Sequence, residues 1–269
     1  MIQCKPFYQI EGYHQWDFVS CGKLIRRKFE DQETSLGMVR QLNSVIEALR
    51  FLNNIPLFSD LDEKAMNLLA HAGRFRQIEK GKILFFQSDP SEFAYVVRTG
   101  NISIVLSSPD GRDMVINEMR PGDLFGELGI LTGQLRSTSA IARAQSEILV
   151  IRSEAFLRVI DSEPQLARRI LEITAQRLQR SGEREGALAF MDAQARLARL
   201  LLELEKEEKA KGYVTISQEE LAQRTGLTRQ TVAKALGRWR RANWLITGRG
   251  HILILNRKAL EDLESKLLV

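Results

Sequence analysis

Four turn-forming segments divide residues 79–123 into short apolar runs, and this pattern restricts the fold more than any other feature of the chain. The segments are EKGK (79–82), RTGN (98–101), PDGR (109–112) and RPGD (120–123). Gly, Pro, Asn and Asp at intervals of about ten to twenty residues are typical of short antiparallel strands joined by turns. We therefore predict an antiparallel β-roll or barrel between Ile55 and Ser153. The residues expected to fill its interior are Tyr95, Val96, Val97, Ile102, Ile104, Val115, Ile116, Ile148, Leu149, Val150 and Ile151.

Residues 125–142, FGELGILTGQLRSTSAIA, combine groups that suit a sugar phosphate. Gly126 lets a ligand approach the backbone, the helix start that follows offers free N–H groups, and Arg136 can donate two charge-assisted bonds to phosphate oxygens. Ser137 adds a hydroxyl and an N–H, whereas Glu127 only accepts and so suits a ribose hydroxyl. A surface loop with a Glu–Arg pair is the plainer interpretation. The apolar alternation on both sides favours a binding site.

The period of the apolar residues then changes from two to about three and a half. Pro164 is predicted to open a helix that runs to about Phe190, a length of about 40 Å. Its heptad positions favour a two-stranded dimer seam over a core helix of a single domain. These positions are Leu171, Thr174, Leu178, Ser181, Glu185 and Leu188. The arginines expected on the opposite, solvent-facing side are Arg168, Arg169, Arg177 and Arg184.

Residues 216–244, ISQEELAQRTGLTRQTVAKALGRWRRANW, have the pattern of a helix-turn-helix. Ser217 and Glu220 form a capping box, Gly226 suits the turn, and Thr228 caps the second helix. A hairpin is predicted over Leu245–Leu255, with its turn at residues 248–250, and it is interpreted as the wing of a winged helix. A break over residues 190–192 is predicted to separate the long helix from this C-terminal module. Asp192 is expected to cap the helix that follows the break.

The positive charge of the chain is concentrated in this last third. Residues 192–269 hold 15 Lys and Arg against 10 Asp and Glu, whereas the first 191 residues hold 24 of each. Such a bias is typical of nucleic-acid binding. Arg229 can pair with guanine and Gln230 with adenine. Contacts with phosphates are expected from Lys234, Arg238 and Ser217. The complete set of predicted DNA-binding residues is Ser217, Thr228, Arg229, Gln230, Thr231, Lys234 and Arg238.

Together these segments resemble the cyclic-AMP receptor protein and fumarate–nitrate regulator family of bacterial transcription regulators, over residues 50 to 258. Segment 125–142 resembles the phosphate-binding cassette of cyclic-nucleotide-binding domains. The resemblance implies that Gly126 and Glu127 contact the ribose and that Arg136 and Ser137 contact the cyclic phosphate. It also counts Leu128 among the ligand-binding residues. In this family two adjacent hydroxyl residues, one from each subunit, contact adenine.

The matching pair here is Ser181 and Gly182, and Gly182 has no hydroxyl. In the recognition helix Gln230 stands where the family has Glu, which changes the expected half-site from one that contains cytosine to one that contains adenine. The cysteine-rich cluster of the oxygen-sensing branch is absent, because the chain has only Cys4 and Cys21.

The expected fold class is α+β, with an N-terminal antiparallel β-roll, a long dimerisation helix and a C-terminal winged helix-turn-helix domain. The expected divisions are 1–50 (an extension of unassigned role), 51–163 (the cyclic-nucleotide-binding β-roll), 164–191 (the dimerisation helix and hinge) and 192–269 (the DNA-binding domain). In the extension an amphipathic helix is expected from Val39, Leu42, Ile46 and Leu49, after aromatic residues at 7–18 and basic residues at 23–28.

The expected function is that of a homodimeric, cytoplasmic regulator that binds a palindromic operator in double-stranded DNA and works with RNA polymerase. A cyclic nucleotide, with cyclic AMP favoured, is expected to control its affinity for DNA allosterically. Two alternatives remain open. One is a constitutively active regulator with a vestigial pocket. The other is a cyclic-nucleotide-binding signalling adaptor that does not bind DNA. No enzyme is expected, because no catalytic constellation, Walker loop or metal-ligand spacing occurs. No membrane span or secretory signal is expected either.

Overall fold

The computed structural model describes residues 42–108 and 111–265. Cys4, Cys21 and the aromatic and basic residues of the N-terminal extension lie outside this part. Helix α1 covers residues 42–53 and packs on the β-roll. The amphipathic helix expected here therefore exists from residue 42, but its buried face is different. Val45, Ala48 and Leu52 are buried, whereas Leu42 and Ile46 are exposed and Leu49 is half-buried. Val39, the first residue of the predicted set, lies outside the described residues. Both sets have helical spacing, so packing against the β-roll selects between them.

Residues 73–152 form the predicted antiparallel β-roll, which consists of two four-stranded sheets. One sheet has the order β1-β8-β3-β6 and the other the order β2-β7-β4-β5. The strands are β1 (Gly73–Ile78), β2 (Ile83–Phe85), β3 (Phe93–Thr99), β4 (Ile102–Ser107), β5 (Asp113–Met119), β6 (Leu124–Phe125), β7 (Ser139–Ala142) and β8 (Ser146–Arg152). The glycine of each of the four turn segments has a positive φ, between 79° and 93°. Glycine adopts such a backbone without steric cost, which explains why these four segments turn.

Short helices surround the roll and close its core. They are the 3₁₀ turn Pro56–Phe58, α2 (Glu63–Ala72), α3 (Glu127–Thr132) between β6 and β7, and α4 (Ser153–Ser162). Leu52, Phe58, Leu69 and Phe156 are buried together against strands β3 and β8. Most of the predicted interior residues of the roll are buried, although Ile116 and Val150 are only half-buried.

Helix α5 extends from Pro164 to Phe190, the range that the sequence predicts. Its heptad leucines Leu171 and Leu178 are 67% and 73% exposed. The prediction that its arginines face solvent is wrong in three of four cases. Arg169 bonds to Asp60, Arg177 to Glu127, and Arg184 lies against β5. This side of α5 packs on the β-roll, so the long arginine side chains bury their stems there.

The C-terminal module begins after an extended Met191. Its elements are α6 (Ala193–Glu207), the 3₁₀ turn Lys209–Lys211, β9 (Val214–Thr215), α7 (Gln218–Thr225), α8 (Arg229–Arg241), β10 (Leu245–Gly248), β11 (His251–Ile254) and α9 (Arg257–Glu264). The predicted caps are confirmed. Asp192 accepts from two backbone N–H groups, Ser217 and Glu220 form a capping box, and Gly226 has φ +66°. The predicted hairpin is also confirmed, and its sheet has the order β10-β11-β9.

Polar contacts join the first helix of the helix-turn-helix, α7, to the β-roll. Arg224 forms an ion pair with Glu118 of β5, and Arg143 donates to Gln223 Oε1 at 2.7 Å. Arg120 and Glu207 of α6 add an exposed pair at 2.7 Å. The fold class is therefore α+β, as expected. Among the described residues no helix combines the length and the apolar character that a membrane span requires.

Candidate functional site

All six residues predicted to bind a ligand line one cavity of about 240 Å³ between the β-roll and α5. Gly126, Glu127 and Leu128 come from the start of α3, and Arg136 and Ser137 from the loop before β7. Ser181 of α5 also lines the cavity. The cavity therefore brings together two parts of the chain more than forty residues apart.

Gly126 is required by both conformation and space. Its φ is +74°, in the left-handed region that disfavours a side chain. A Cβ atom there would lie 2.8 Å from Arg136 Nη1 and 2.9 Å from Tyr95 Cδ2. Because Gly126 has no side chain, the guanidinium of Arg136 can lie beside the backbone at the start of α3.

Arg136 is 4% exposed and is held by backbone and aromatic groups. Its Nη1 donates to the Gly126 carbonyl at 2.5 Å and its Nη2 to the Phe93 carbonyl at 2.6 Å. The guanidinium carbon lies 4.3 Å from the centre of the Phe85 ring, a cation–π distance. Within residues 42–108 and 111–265 Arg136 forms no ion pair. A buried guanidinium without a carboxylate partner is suited to an anion.

Burial changes the pKa values of both Arg136 and Tyr95. It lowers the pKa of Arg136 below its ordinary value, although the nearby Tyr95 and Glu127 oppose this effect. It also raises the pKa of the Tyr95 hydroxyl. Arginine stays protonated at neutral pH even so, because its ordinary pKa is so high. The cavity therefore carries a desolvated positive charge at Arg136.

Glu127 is 3% exposed and its Oε1 accepts from Arg177 Nη1 at 2.9 Å. Arg177 Nη2 also donates to the Leu124 carbonyl at 2.6 Å. Burial raises the pKa of the Glu127 carboxyl, and the charge of Arg177 lowers it by less. This ion pair connects the cassette directly to α5.

Sequence reasoning missed Arg177, although a usable signal was present. Arg177 and Ser181 are four residues apart, so they share a face of the helix. Assigning Ser181 to the ligand therefore places Arg177 at the same cavity. The stack of Phe85, Tyr95 and Phe125 behind Arg136 gave no signal in the sequence. Pairing of β3 with β6 brings Tyr95 and Phe125 together, and Phe85 comes from the other sheet.

The predicted DNA-binding residues lie at the starts of α7 and α8 and along α8. Arg229, Gln230, Lys234 and Arg238 of α8 are all exposed. Gln230, Lys234 and Arg238 recur every four residues and so share one face of the helix. The remaining three, Ser217, Thr228 and Thr231, have hydroxyls that take part in helix caps. No acidic residue lies on the outer face of α8. Among the described residues no cluster of side chains could hold a metal ion.

Two protein-family models match parts of this chain. Residues 75–163 match the model of the cyclic nucleotide-binding domain, and residues 195–263 match that of the Crp-like helix-turn-helix domain. The chain is thus a cyclic-nucleotide-binding, DNA-binding transcription regulator.

Relatives identify the family. The cAMP-activated global transcriptional regulator CRP of Salmonella typhimurium is 30% identical over 178 residues, which cover 64% of this chain and 84% of that one. A CRP-like cAMP-activated global transcriptional regulator of Mycobacterium tuberculosis is 29% identical, with coverage of 72% and 96%. A crystal structure of a CRP/FNR-family transcriptional regulator of Thermus thermophilus superposes with a TM-score of 0.60 at 26% identity, covering 72% of this chain and 99% of that one. The chain belongs to the cyclic-AMP receptor protein and fumarate–nitrate regulator family.

Proposed function

We propose that the protein is a homodimeric regulator in which a cyclic nucleotide in the β-roll cavity controls affinity for a palindromic DNA operator. The single observation that supports ligand binding best is the buried guanidinium of Arg136 beside Gly126 and Ser137, which has no carboxylate partner among the described residues. A cyclic phosphate would receive charge-assisted bonds from Arg136 in place of the two neutral carbonyls that the guanidinium now contacts. Glu127 would accept from the ribose hydroxyl.

Cyclic AMP is favoured by the names of the relatives, which are described as cAMP-activated. That assignment depends on the relatives alone. Of the two positions that the family pattern assigns to adenine, Ser181 lines the cavity, whereas Gly182 has no hydroxyl.

The path for control of DNA binding runs through α5. The Glu127–Arg177 pair connects the ligand cavity to this helix, and α5 ends at Phe190, next to the DNA-binding module. A ligand that changes the position of Glu127 would therefore move α5 and, through it, α8. Two recognition helices of a dimer would then contact major grooves about 34 Å apart.

The dimer would form along the exposed heptad leucines of α5. Leu171 and Leu178 leave an apolar stripe on a helix of 27 residues, and a second copy of α5 would cover it.

The domain divisions proposed here differ from the predicted ones only at α1. This helix is assigned to the β-roll, because Val45 and Leu52 belong to the core of the roll. A regulator that binds chromosomal DNA and works with RNA polymerase acts in the cytoplasm.

Two measurements test this proposal. Titration calorimetry of the full-length protein with cyclic AMP and cyclic GMP should give heat of binding, and Arg136→Lys should weaken binding at least tenfold, because lysine keeps the charge but loses the paired donors. Selection of bound DNA from a random pool should recover sequences with dyad symmetry. Folded protein that binds neither nucleotide would refute the ligand role. Recovery of no DNA would instead favour a signalling adaptor.

A further inference from the structure

We propose that Arg184 is a specificity residue and makes the cavity prefer guanine over adenine as the base of its cyclic nucleotide. This inference rests on the proposed function, namely that the cavity holds a cyclic nucleotide with its phosphate at Arg136. It concerns the part of the same cavity that residues of α5 and β5 line.

The position of Arg184 follows from helix geometry. Arg184 is three residues after Ser181, so both side chains lie on one face of α5, one turn apart. Both line the cavity, together with Asn117 of β5. Arg184 is therefore located one turn beyond the residue that the family pattern assigns to the base.

Arg184 has few partners for its five donors. Its Nη2 donates to Asn117 Oδ1 at 3.5 Å, the outer limit of a hydrogen bond. It forms no ion pair within the described ranges 42–108 and 111–265. Burial lowers the pKa of its guanidinium, and the neighbouring Arg180 lowers it further. A half-buried cation in these surroundings gains most from a ligand that supplies hydrogen-bond acceptors.

Guanine offers two adjacent hydrogen-bond acceptors on one edge, whereas the corresponding edge of adenine offers only one. Guanine presents O6 and N7 side by side, and arginine pairs with these two atoms through two parallel hydrogen bonds. Adenine presents N7 next to the N6 amino group, which is a donor. A guanidinium facing that amino group would set donor against donor, so Arg184 would discriminate against adenine.

The groups that would favour adenine are weak in this chain. Ser181 Oγ is paired with Glu185 Oε1 at 3.3 Å. Gly182 has no hydroxyl, and a Cβ atom at this position would meet nothing within 4 Å. Ser181 and Gly182 therefore provide no strong contact with adenine that would offset the preference of Arg184 for guanine. The cavity of about 240 Å³ is small for a ligand pocket and suits a mononucleotide.

The test is calorimetric titration of the full-length protein with cyclic GMP, cyclic IMP and cyclic AMP. Cyclic IMP is informative because hypoxanthine has O6 and N7 but lacks the 2-amino group of guanine. We expect cyclic GMP and cyclic IMP to bind at least about tenfold more tightly than cyclic AMP. Arg184→Met should remove this difference by weakening the first two. The matched control, Arg180→Met, removes the same charge one helical turn before Arg184, at a residue that does not line this cavity, and should keep the preference.

Each other outcome overturns the inference in a distinguishable way. Cyclic AMP binding as tightly as cyclic GMP in the unmodified protein would overturn the preference and leave the proposed function intact. A preference that persists in Arg184→Met would overturn the role of Arg184. Failure of all three nucleotides to bind folded protein would overturn both this inference and the proposed ligand. The comparison of nucleotides in the unmodified protein stands even if a variant fails to fold.

Discussion

Glu127 and Arg177 form a 2.9 Å ion pair that connects the cassette to helix α5, and both side chains are largely buried. Replacing Arg177 by Met should leave the carboxylate of Glu127 without its partner. We expect a loss of unfolding free energy of about 3 kcal/mol. Urea denaturation measures this loss. Arg168→Met is the matched control, because Arg168 lies on the same helix in an exposed pair with Glu172, and its loss should cost less than about 0.5 kcal/mol.

The raised pKa of Glu127 predicts a specific dependence of stability on pH. Because burial raises the pKa in the folded protein above its ordinary value, the folded state holds the proton more tightly than the unfolded chain. The contribution of this carboxyl to stability is then complete below the ordinary pKa of 4.5 and is lost as the pH rises through the folded value. Urea denaturation of the unmodified protein and of Glu127→Gln should show the difference in unfolding free energy falling with rising pH. A difference that rises with pH would show that the pKa is lowered instead.

The contact between α7 and the β-roll should carry part of the coupling between the two sites. Glu118 and Arg224 pair across it with both side chains mostly buried. Glu118→Gln would loosen the position of the DNA-binding module relative to β5. The ratio of DNA affinities with and without cyclic nucleotide should therefore fall by roughly two- to fivefold. Fluorescence anisotropy with a labelled operator measures this ratio, and Glu147→Gln, which affects a pair inside the β-roll, should leave it unchanged.

The exposed leucines of α5 should hold the dimer together. Leu178→Asp places a charge in the proposed seam and should convert dimers to monomers at micromolar concentration, as seen by analytical ultracentrifugation. Leu255, which is 53% exposed near the wing, provides the control: Leu255→Asp should leave the protein dimeric. If the unmodified protein were monomeric, the seam would be refuted.

Gln230 should determine one base pair of the operator. Glutamine pairs with adenine through N6 and N7, whereas glutamate accepts from the amino group of cytosine. Gln230→Glu should change the preferred base from adenine to cytosine at one position of each half-site, with a discrimination of about 1–3 kcal/mol. DNA selection with both proteins measures the change. An identical operator for both would mean that this side chain does not contact a base.

Much of the fold follows from local signals. The glycines of the four turns, Pro164 at the start of α5, and the caps at Asp192, Ser217 and Thr228 each act within a few residues. Such signals determine where strands and helices begin and end. The segments that they delimit are the ones observed.

The features that the sequence does not predict depend on which face of a helix or strand packs against a neighbouring element. The arginines of α5 were expected in solvent, but the β-roll lies against that side, so Arg177 and Arg184 face the cavity. Helix α1 likewise has two faces of similar spacing, and only packing shows that Val45 and Leu52 are buried. The cassette was recognisable because its residues are close in sequence, whereas the aromatic support of Arg136 comes from three separate strands.

The decisive measurement is the affinity of the full-length protein for its selected operator with and without saturating cyclic nucleotide, for the unmodified protein and for Arg136→Lys. If a nucleotide held by Arg136 controls DNA binding, the nucleotide should raise the operator affinity of the unmodified protein by about 5- to 150-fold. The same concentration should leave Arg136→Lys nearly unchanged. Equal operator affinity of the unmodified protein with and without every cyclic nucleotide tried would contradict this control.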